Sequence, residues 1–182
     1  NPYATPEIEE MTKATRKIGL GLMGFADLLI QLHIAYNSQV GRDIGQEIVS
    51  RVRSWADEAS LDLGITRGVF PAWHDSNYSK VTEAYRNSCR LTVAPTGTIS
   101  MIADCSSGIE PTFALAWTKQ NILEGETLTY ANKYFECDAK TYGFYSDELM
   151  DYLADGNSLQ ERTDVPDWIK EKVRQFEADL SQ

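Results

Sequence analysis

The sequence predicts a helix-rich α/β fold with several long helices and few strands. Apolar residues recur every three or four positions through much of the 182-residue chain, which is typical of amphipathic helices. Two segments read differently: residues 90–94 have the small apolar character of a buried strand, and residues 112–120 alternate large and small side chains. No repeat or linker divides the chain, so we expect residues 1–182 to form a single region.

The composition limits the kinds of partner. The formal net charge of −10, from 17 basic and 27 acidic residues, argues against contact with nucleic acid or an anionic membrane. The longest apolar run, residues 18–32, is too short to span a bilayer. The first residues lack the pattern of a signal peptide, so we expect a cytoplasmic location. The absence of an initiator methionine indicates a fragment or a processed piece.

The cysteines predict no metal site. Cys89, Cys105 and Cys137 are widely spaced, form no C-x-x-C motif and are accompanied by only two histidines, His33 and His74. We therefore expect reduced, buried thiols of the kind found in cytosolic proteins.

Two helices are predicted in the first part of the chain. The first opens at Thr5-Pro6-Glu7, where a hydroxyl cap precedes a proline. The second is capped by Ser38, carries a core-facing apolar stripe and ends at Gly64. A loop with aromatic anchors at residues 66–80 and a short helical turn at residues 80–87 should follow. The stripe consists of Val40, Ile44, Ile48, Val52, Trp55, Ala56, Ala59 and Leu63.

The segment Gly19–Gly24 matches the G-x-G-x-x-G fingerprint of dinucleotide-binding proteins. That fingerprint requires a strand immediately before the glycines, and here a charged helical pattern precedes them. We therefore reject a small nicotinamide-dependent dehydrogenase. The glycines are better interpreted as a place where two helices, or a helix and a strand, pack closely.

The segment from Arg90 to Ser100 is the most informative part of the sequence. Pro95 should end the strand, Gly97 should allow a tight turn and close approach to the backbone, and Thr98 should cap the helix that follows. Free amides at a helix start, with the hydroxyls of Thr96, Thr98 and Ser100 nearby, favour an anion. An ordinary, well-capped corner is the alternative. The segment is not a P-loop, because no lysine follows the glycine.

The remaining segments are predicted to be mainly helical. Residues 106–111 form a second polar turn, in which Glu110 is either a general acid/base or only a hydrogen-bond acceptor. Residues 128–142 are predicted to be one helix, Ser146 caps a helix over residues 147–154, and residues 165–168 open a last helix. The last helix should place Ile169, Val173, Phe176 and Leu180 on one face.

Three blocks together resemble the catalytic subunit of ribonucleotide reductases. They are Arg16-Lys17-Ile18-Gly19-Leu20-Gly21-Leu22-Met23-Gly24-Phe25-Ala26-Asp27, Ala94-Pro95-Thr96-Gly97-Thr98-Ile99-Ser100 and Ser106-Ser107-Gly108-Ile109-Glu110-Pro111. Their order and spacing match the family over nearly the whole chain. The second and third blocks look most like the adenosylcobalamin-dependent class II enzymes, with the iron-dependent class I large subunit as the nearer rival.

The resemblance implies a partial ten-stranded α/β barrel, from the C-terminal side of the catalytic barrel domain. It also implies that the second block holds the substrate phosphates, mainly through backbone amides. By position, these residues are Pro95, Thr96, Gly97, Thr98, Ile99 and Ser100. The implied partners of the complete enzyme are a ribonucleotide substrate, the remainder of the reductase chain, a thioredoxin-type reductant and, in a homodimer, a second copy. Its implied cofactor is adenosylcobalamin, which this segment alone is not expected to bind.

The radical chemistry of that family needs residues that this chain lacks. Neither the Asn-x-Cys-x-Glu motif of the thiyl radical nor the reducing cysteine pair is present, so we assign no catalytic residue and no redox role to the three cysteines. Alone, the chain should be inactive. The alternative to a share in ribonucleotide reduction is a non-catalytic helical fragment that acts only as a structural or protein-binding module.

Overall fold

The computed structural model describes residues 2–81, 83–112, 114–122 and 126–177. Within them the fold is helix-rich with few strands, as predicted, and the two strands form one sheet. The helices are α1 Pro6–Thr15, α2 Phe25–Gln31, α3 Gln39–Arg67, α4 Gly97–Ala103, α5 Lys133–Thr141, α6 Asp147–Ala154 and α7 Asp167–Glu177. The strands are β1 Ala116–Ile122 and β2 Glu126–Ala131, and short 3-10 helices cover Pro71–Asp75, Asn77–Lys80 and Leu159–Glu161.

The chain forms two compact units, which are described separately. Unit 1 comprises Asn1–Leu22 and Ile44–Pro95, and unit 2 comprises Met23–Asp43 and Thr96–Gln182. None of the helices in the described residues is both long and apolar enough to cross a membrane.

Helix α1 begins as the sequence predicts. Thr5 Oγ1 accepts a hydrogen bond from the Ile8 amide at 3.4 Å, and Pro6 occupies the first helical position. The apolar face of α1 is not covered within the described residues, since Ile8 is 49% and Met11 64% exposed.

Helix α3 starts where predicted but ends later. Ser38 Oγ accepts a hydrogen bond from the Gly41 amide at 2.9 Å. The helix runs through Gly64 to Arg67 and stops before Gly68, which has a φ of +81°. The prediction that the stripe faces the core is only partly correct. Ala56 of the stripe is half-buried and lies on the same side of the helix as the buried Ser60, whereas Trp55 of the stripe is 63% exposed.

Gly64 is required for packing rather than for helix termination. It is buried, and a Cβ built on it would lie 1.7 Å from the main-chain oxygen of Ala84. The segment around Ala84 therefore rests directly on the α3 backbone, and the Arg86 amide donates to Ser60 O at 2.9 Å beside it.

The segment after α3 is anchored by aromatic side chains, as predicted. Phe70 is 1% exposed and packs edge-on against Tyr78, with ring centroids 6.1 Å apart. Trp73 Nε1 donates to the main-chain oxygen of Glu83 at 2.7 Å. The predicted helical turn at residues 80–87 is wrong, because the 3-10 helix ends at Lys80 and the described residues beyond it form no helix. Thr82 lies outside the described residues.

The glycine-rich segment pairs with the segment predicted as a strand. Leu20 and Leu91 form one isolated parallel bridge, so residues 90–94 are extended but do not form a strand of a sheet within the described residues. A Cβ on Gly19 would lie 2.6 Å from Cγ2 of Thr92, so this glycine permits close approach. The partners are two extended segments, not the helix pair or helix–strand pair that we expected. Gly19 thus serves packing within the protein instead of contact with a pyrophosphate.

Arg90 links this extended segment to α3. Its guanidinium is 8% exposed, pairs with the Asp57 carboxylate and stacks 3.9 Å from the ring centroid of Tyr85. Burial alone would lower the pKa of Arg90, but the hydrogen bond to Asp57 offsets it and the pKa rises above its ordinary value. The Arg90 guanidinium therefore stays charged at any physiological pH.

Unit 2 is built on the β1–β2 hairpin and the helices that follow. The strands are antiparallel, with Ala116 opposite Ala131 and Trp117 stacked on Tyr130. The helices α5, α6 and α7 cover a common apolar core. That core consists of Leu115, Ala116, Phe135, Ala139, Phe144, Leu149, Met150, Leu153, Leu159, Val165, Ile169 and Val173.

The predicted single helix over residues 128–142 is wrong. Strand β2 occupies its first part, and Asn132 separates strand from helix, since its Oδ1 accepts from the amides of Tyr134 and Phe135 at 3.0 and 3.2 Å. The Ser146 cap of α6 is confirmed by its hydrogen bond from the Leu149 amide at 3.1 Å.

Two further predictions have mixed outcomes. Ile169 and Val173 of α7 are buried as predicted, whereas Leu180 lies outside the described residues, as does Phe113 of the predicted strand. The three cysteines are free thiols but are not buried. Cys89 and Cys137 are exposed and Cys105 is half-buried.

We expect Gly64→Ala to destabilise the protein despite the better helix propensity of alanine. Propensity favours alanine by about 1 kcal/mol, but a methyl group against the Ala84 main chain, which has no rotamer to yield, should cost about 3 kcal/mol. Urea unfolding measures the net loss, and Ser54→Ala on the exposed side of α3 is the control, with unchanged or slightly higher stability. A Gly64→Ala protein as stable as the parent would contradict the packing of residue 84 on α3.

We expect Asn132→Ala to lower the free energy of unfolding by about 1 kcal/mol, because two amides of the first turn of α5 lose their acceptor. Asn132→Asp keeps the acceptor and should remain near the parent. Thermal unfolding followed by circular dichroism compares the two variants, and equal losses in both would argue against a capping role.

Candidate functional site

The second of the three sequence blocks, residues 94–100, leads into α4 and forms its first turn. The helix begins at Gly97, two residues earlier than predicted, and the cap is Thr96, not Thr98. Thr96 has a φ of +53°, in the left-handed region that a β-branched residue seldom adopts. Its Oγ1 does not bond the helix amides; it accepts instead from the Gly108 amide at 2.7 Å.

The first amides of α4 have no acceptor among the described residues. Within the part of the chain that the structure describes, the amides of Gly97, Thr98 and Ile99 have no hydrogen-bond partner, as expected for the first turn of a helix. All three residues are exposed. A Cβ built on Gly97 meets nothing within 4 Å, and its φ is not positive. Neither backbone conformation nor packing against the described residues therefore explains a glycine at this position.

Ser100 holds the same turn from its other side. It is 2% exposed, and its Oγ lies 2.9 Å from Ser107 Oγ and donates to Gly97 O at 3.1 Å. Of the three hydroxyls predicted to lie near an anion, those of Thr96 and Ser100 bind protein groups. Thr98, which is exposed, keeps its hydroxyl open among the described residues.

The turn at residues 106–108 connects α4 to α2. The Ser106 amide donates to Asp27 Oδ2 at 2.7 Å, while the Asp27 amide donates to Ser106 Oγ at 3.3 Å. The Gly24 amide donates to the main-chain oxygen of Ser106 at 2.9 Å. Residues of all three sequence blocks thus meet in unit 2. Pro95, the one predicted site residue outside that unit, is the exposed last residue of unit 1.

Charged groups lie at the edge of this site rather than in it. Residues 95–100 and 106–109 contain no charged side chain. Lys133 Nζ binds Asp104 Oδ2 at 2.8 Å at the far end of α4, and this hydrogen bond raises the pKa of the lysine. Glu110 is exposed, and its carboxylate has no ion-pair or hydrogen-bond partner among the described residues, so its role stays open.

A cavity of about 260 Å³ lies at the other end of α2, and the sequence did not predict it. Its wall is largely apolar but includes two carboxylates and one imidazole. It is lined by Ile30, His33, Ile34, Ala35, Leu115, Phe135, Asp138, Trp168, Glu171 and Val173. Among the described residues no cluster of three or more potential ligands could hold a metal ion.

Comparisons with known proteins identify the family. The sequence model of the ribonucleotide reductase barrel domain matches residues 1–85 and 81–178. The vitamin B12-dependent ribonucleoside-diphosphate reductase of Thermoplasma acidophilum is 46% identical over 160 residues, which are 88% of this chain and 21% of that protein. The enzyme of the same name from Mycobacterium tuberculosis is 43% identical over 152 residues, 84% of this chain and 22% of its own.

The fold is also that of a solved reductase. The class Id ribonucleotide reductase alpha subunit of Actinobacillus ureae superposes with a TM-score of 0.70 at 22% identity, over 93% of this chain and 30% of that one. The predicted part of a reductase barrel and the likeness to cobalamin-dependent enzymes are both confirmed. The chain spans about a fifth of the length of these curated relatives. This chain belongs to the ribonucleotide reductase barrel-domain family.

Proposed function

We propose that this chain supplies the substrate phosphate-binding loop of a vitamin B12-dependent ribonucleoside-diphosphate reductase. The complete enzyme would convert ribonucleotides into deoxyribonucleotides by thiyl-radical chemistry. The loop consists of Pro95, Thr96, Gly97, Thr98, Ile99 and Ser100. The observation that carries the proposal is the exposed run of amides at residues 97–99, where Gly97 is required by no contact or positive φ among the described residues.

The loop would bind phosphate through neutral donors. The amides of Gly97, Thr98 and Ile99 donate to phosphate oxygens, and the missing side chain at residue 97 lets an oxygen reach the backbone. The hydroxyl of Thr98 adds a donor. Because the chain has a net charge of −10, attraction over long distances is absent, and affinity depends on these short contacts.

The contribution to the reaction is positioning. A phosphate held by a rigid loop fixes the ribose relative to a radical that residues outside this chain must carry. Holding reactants in a productive geometry can account for a large part of a rate enhancement without any bond-making group in the loop. Thr96 and Ser100 serve this role indirectly, since their hydroxyls tie the loop to residues 107 and 108.

The cofactor of the complete enzyme would be adenosylcobalamin, which supplies the radical when bound. The cavity at the end of α2 does not fit it, because a volume of about 260 Å³ is far smaller than a corrinoid. No role described for this chain passes through the cofactor.

The proposal also includes the protein partners of the complete enzyme. Met101 and Ile102 of α4 are 63% and 82% exposed, which suits a surface covered by the remainder of the reductase chain. A thioredoxin-type reductant, a second copy in a homodimer and a cytoplasmic location complete the proposal. The alternative module that binds only protein would share the exposed apolar surface but would not need the open amides of residues 97–99.

We expect Gly97→Val in the complete enzyme to weaken binding of a ribonucleoside diphosphate at least tenfold, about 1.4 kcal/mol, because the branched side chain blocks the approach of phosphate to the amides. Equilibrium binding by isothermal titration calorimetry measures the change. Ala103→Val adds the same branched side chain at the exposed far end of α4 and should leave the affinity unchanged. Equal diphosphate affinities of the parent, Gly97→Val and Ala103→Val would argue for the alternative in which the chain binds only protein.

A further inference from the structure

We propose that Asp27 is a positioning residue for the phosphate loop, acting through Ser106. The inference rests on the proposed function, because it concerns the same site. Asp27 lies in the first turn of α2, and its carboxylate is one of the few buried charges of the described residues, at 6% exposure. No substrate contact is assigned to it.

The contacts between Asp27 and Ser106 form a capping box assembled from distant parts of the chain. In a local capping box, a serine side chain bonds the amide of the third helical residue, whose acidic side chain returns to the serine amide. Here Gly24 is the cap position of α2 and has no side chain. Ser106, 79 residues away from Asp27, supplies both the hydroxyl and the amide that a local serine would provide.

The carboxylate suits this position for two physical reasons. It lies at the positive end of the α2 dipole, which favours a negative charge. Its hydrogen bond from the Ser106 amide, at 2.7 Å, is charge-assisted and offsets part of the cost of burial. Ser106 is therefore fixed through its amide, its hydroxyl and its main-chain oxygen, the last by Gly24.

The next two residues carry this constraint to the loop. Ser107 bonds the hydroxyl of Ser100, and the Gly108 amide bonds the hydroxyl of Thr96. Thr96 is held in a left-handed conformation that a threonine does not favour, and such a conformation persists only where neighbouring contacts enforce it. Loss of the Asp27 carboxylate releases the Ser106 amide, loosens the turn and lets the loop amides leave the arrangement that phosphate requires.

A purely electrostatic role predicts the opposite sign. A buried negative charge near an anion site repels phosphate, so removing it should tighten binding in Asp27→Asn and Asp27→Ala alike. A positioning role predicts weaker binding for Asp27→Ala only, because the asparagine oxygen still accepts from the Ser106 amide. The two variants together therefore separate the two roles.

The experiment uses the complete reductase chain and compares the affinity for a ribonucleoside diphosphate with that for the corresponding nucleoside, which has no phosphate. We expect Asp27→Ala to weaken diphosphate binding about tenfold and leave nucleoside binding unchanged, with Asp27→Asn within about twofold of the parent. Asp62→Ala removes an exposed acid from α3 and controls for the change in net charge. Ser106→Ala removes only the hydroxyl and should weaken diphosphate binding about threefold. This variant tests the positioning role if Asp27→Ala does not fold.

The outcomes separate this inference from the proposed function. If Gly97→Val weakens diphosphate binding but Asp27→Ala and Ser106→Ala lower only the melting temperature, the positioning role is wrong and the phosphate loop stands. If instead neither Gly97→Val nor Asp27→Ala changes the ratio of the diphosphate affinity to the nucleoside affinity, the proposed phosphate loop itself is wrong. Tighter diphosphate binding by both Asp27 variants would overturn the positioning role in favour of simple repulsion.

Discussion

Ser106 exchanges hydrogen bonds with the first turn of α2 through its amide, its main-chain oxygen and its hydroxyl, and the candidate site is built outward from that contact. Ser107 and Gly108 then reach the two hydroxyls that shape the start of α4. The exposed amides of residues 97–99 remain open because the neighbouring polar groups are already bonded to one another. The same hydrogen bonds therefore hold the loop in place and leave its amides free to bind a ligand.

Local signals in the sequence predict the helix starts well. Thr5, Ser38 and Ser146 each cap the helix assigned to them, because a cap bonds an amide two or three residues away and leaves a short pattern. The boundary at Asn132 has the same signal, and the residues of β2 alternate, but apolar residues at helical spacing obscure both. Gly64 was mistaken for a helix end because close packing and termination both select glycine.

The site could be predicted only where its residues are neighbours in the chain. Residues 96–100 follow one another, so their hydroxyls and glycine are enough to predict a turn that leads into a helix, as the structure has it. The left-handed Thr96 and the contact between Asp27 and Ser106 depend on groups 12 and 79 residues apart, for which no local pattern exists. Exposure of the cysteines was likewise mispredicted, since burial depends on what the rest of the fold covers.

The bridge between Leu20 and Leu91 has a consequence for folding on the ribosome. Its partners are roughly seventy residues apart, so the contact contributes to a high contact order and should form late. At typical elongation rates the ribosome needs about 4 to 14 seconds to make the intervening residues. During that interval the glycine segment has been synthesised but its bridge partner has not, so this backbone pairing cannot form.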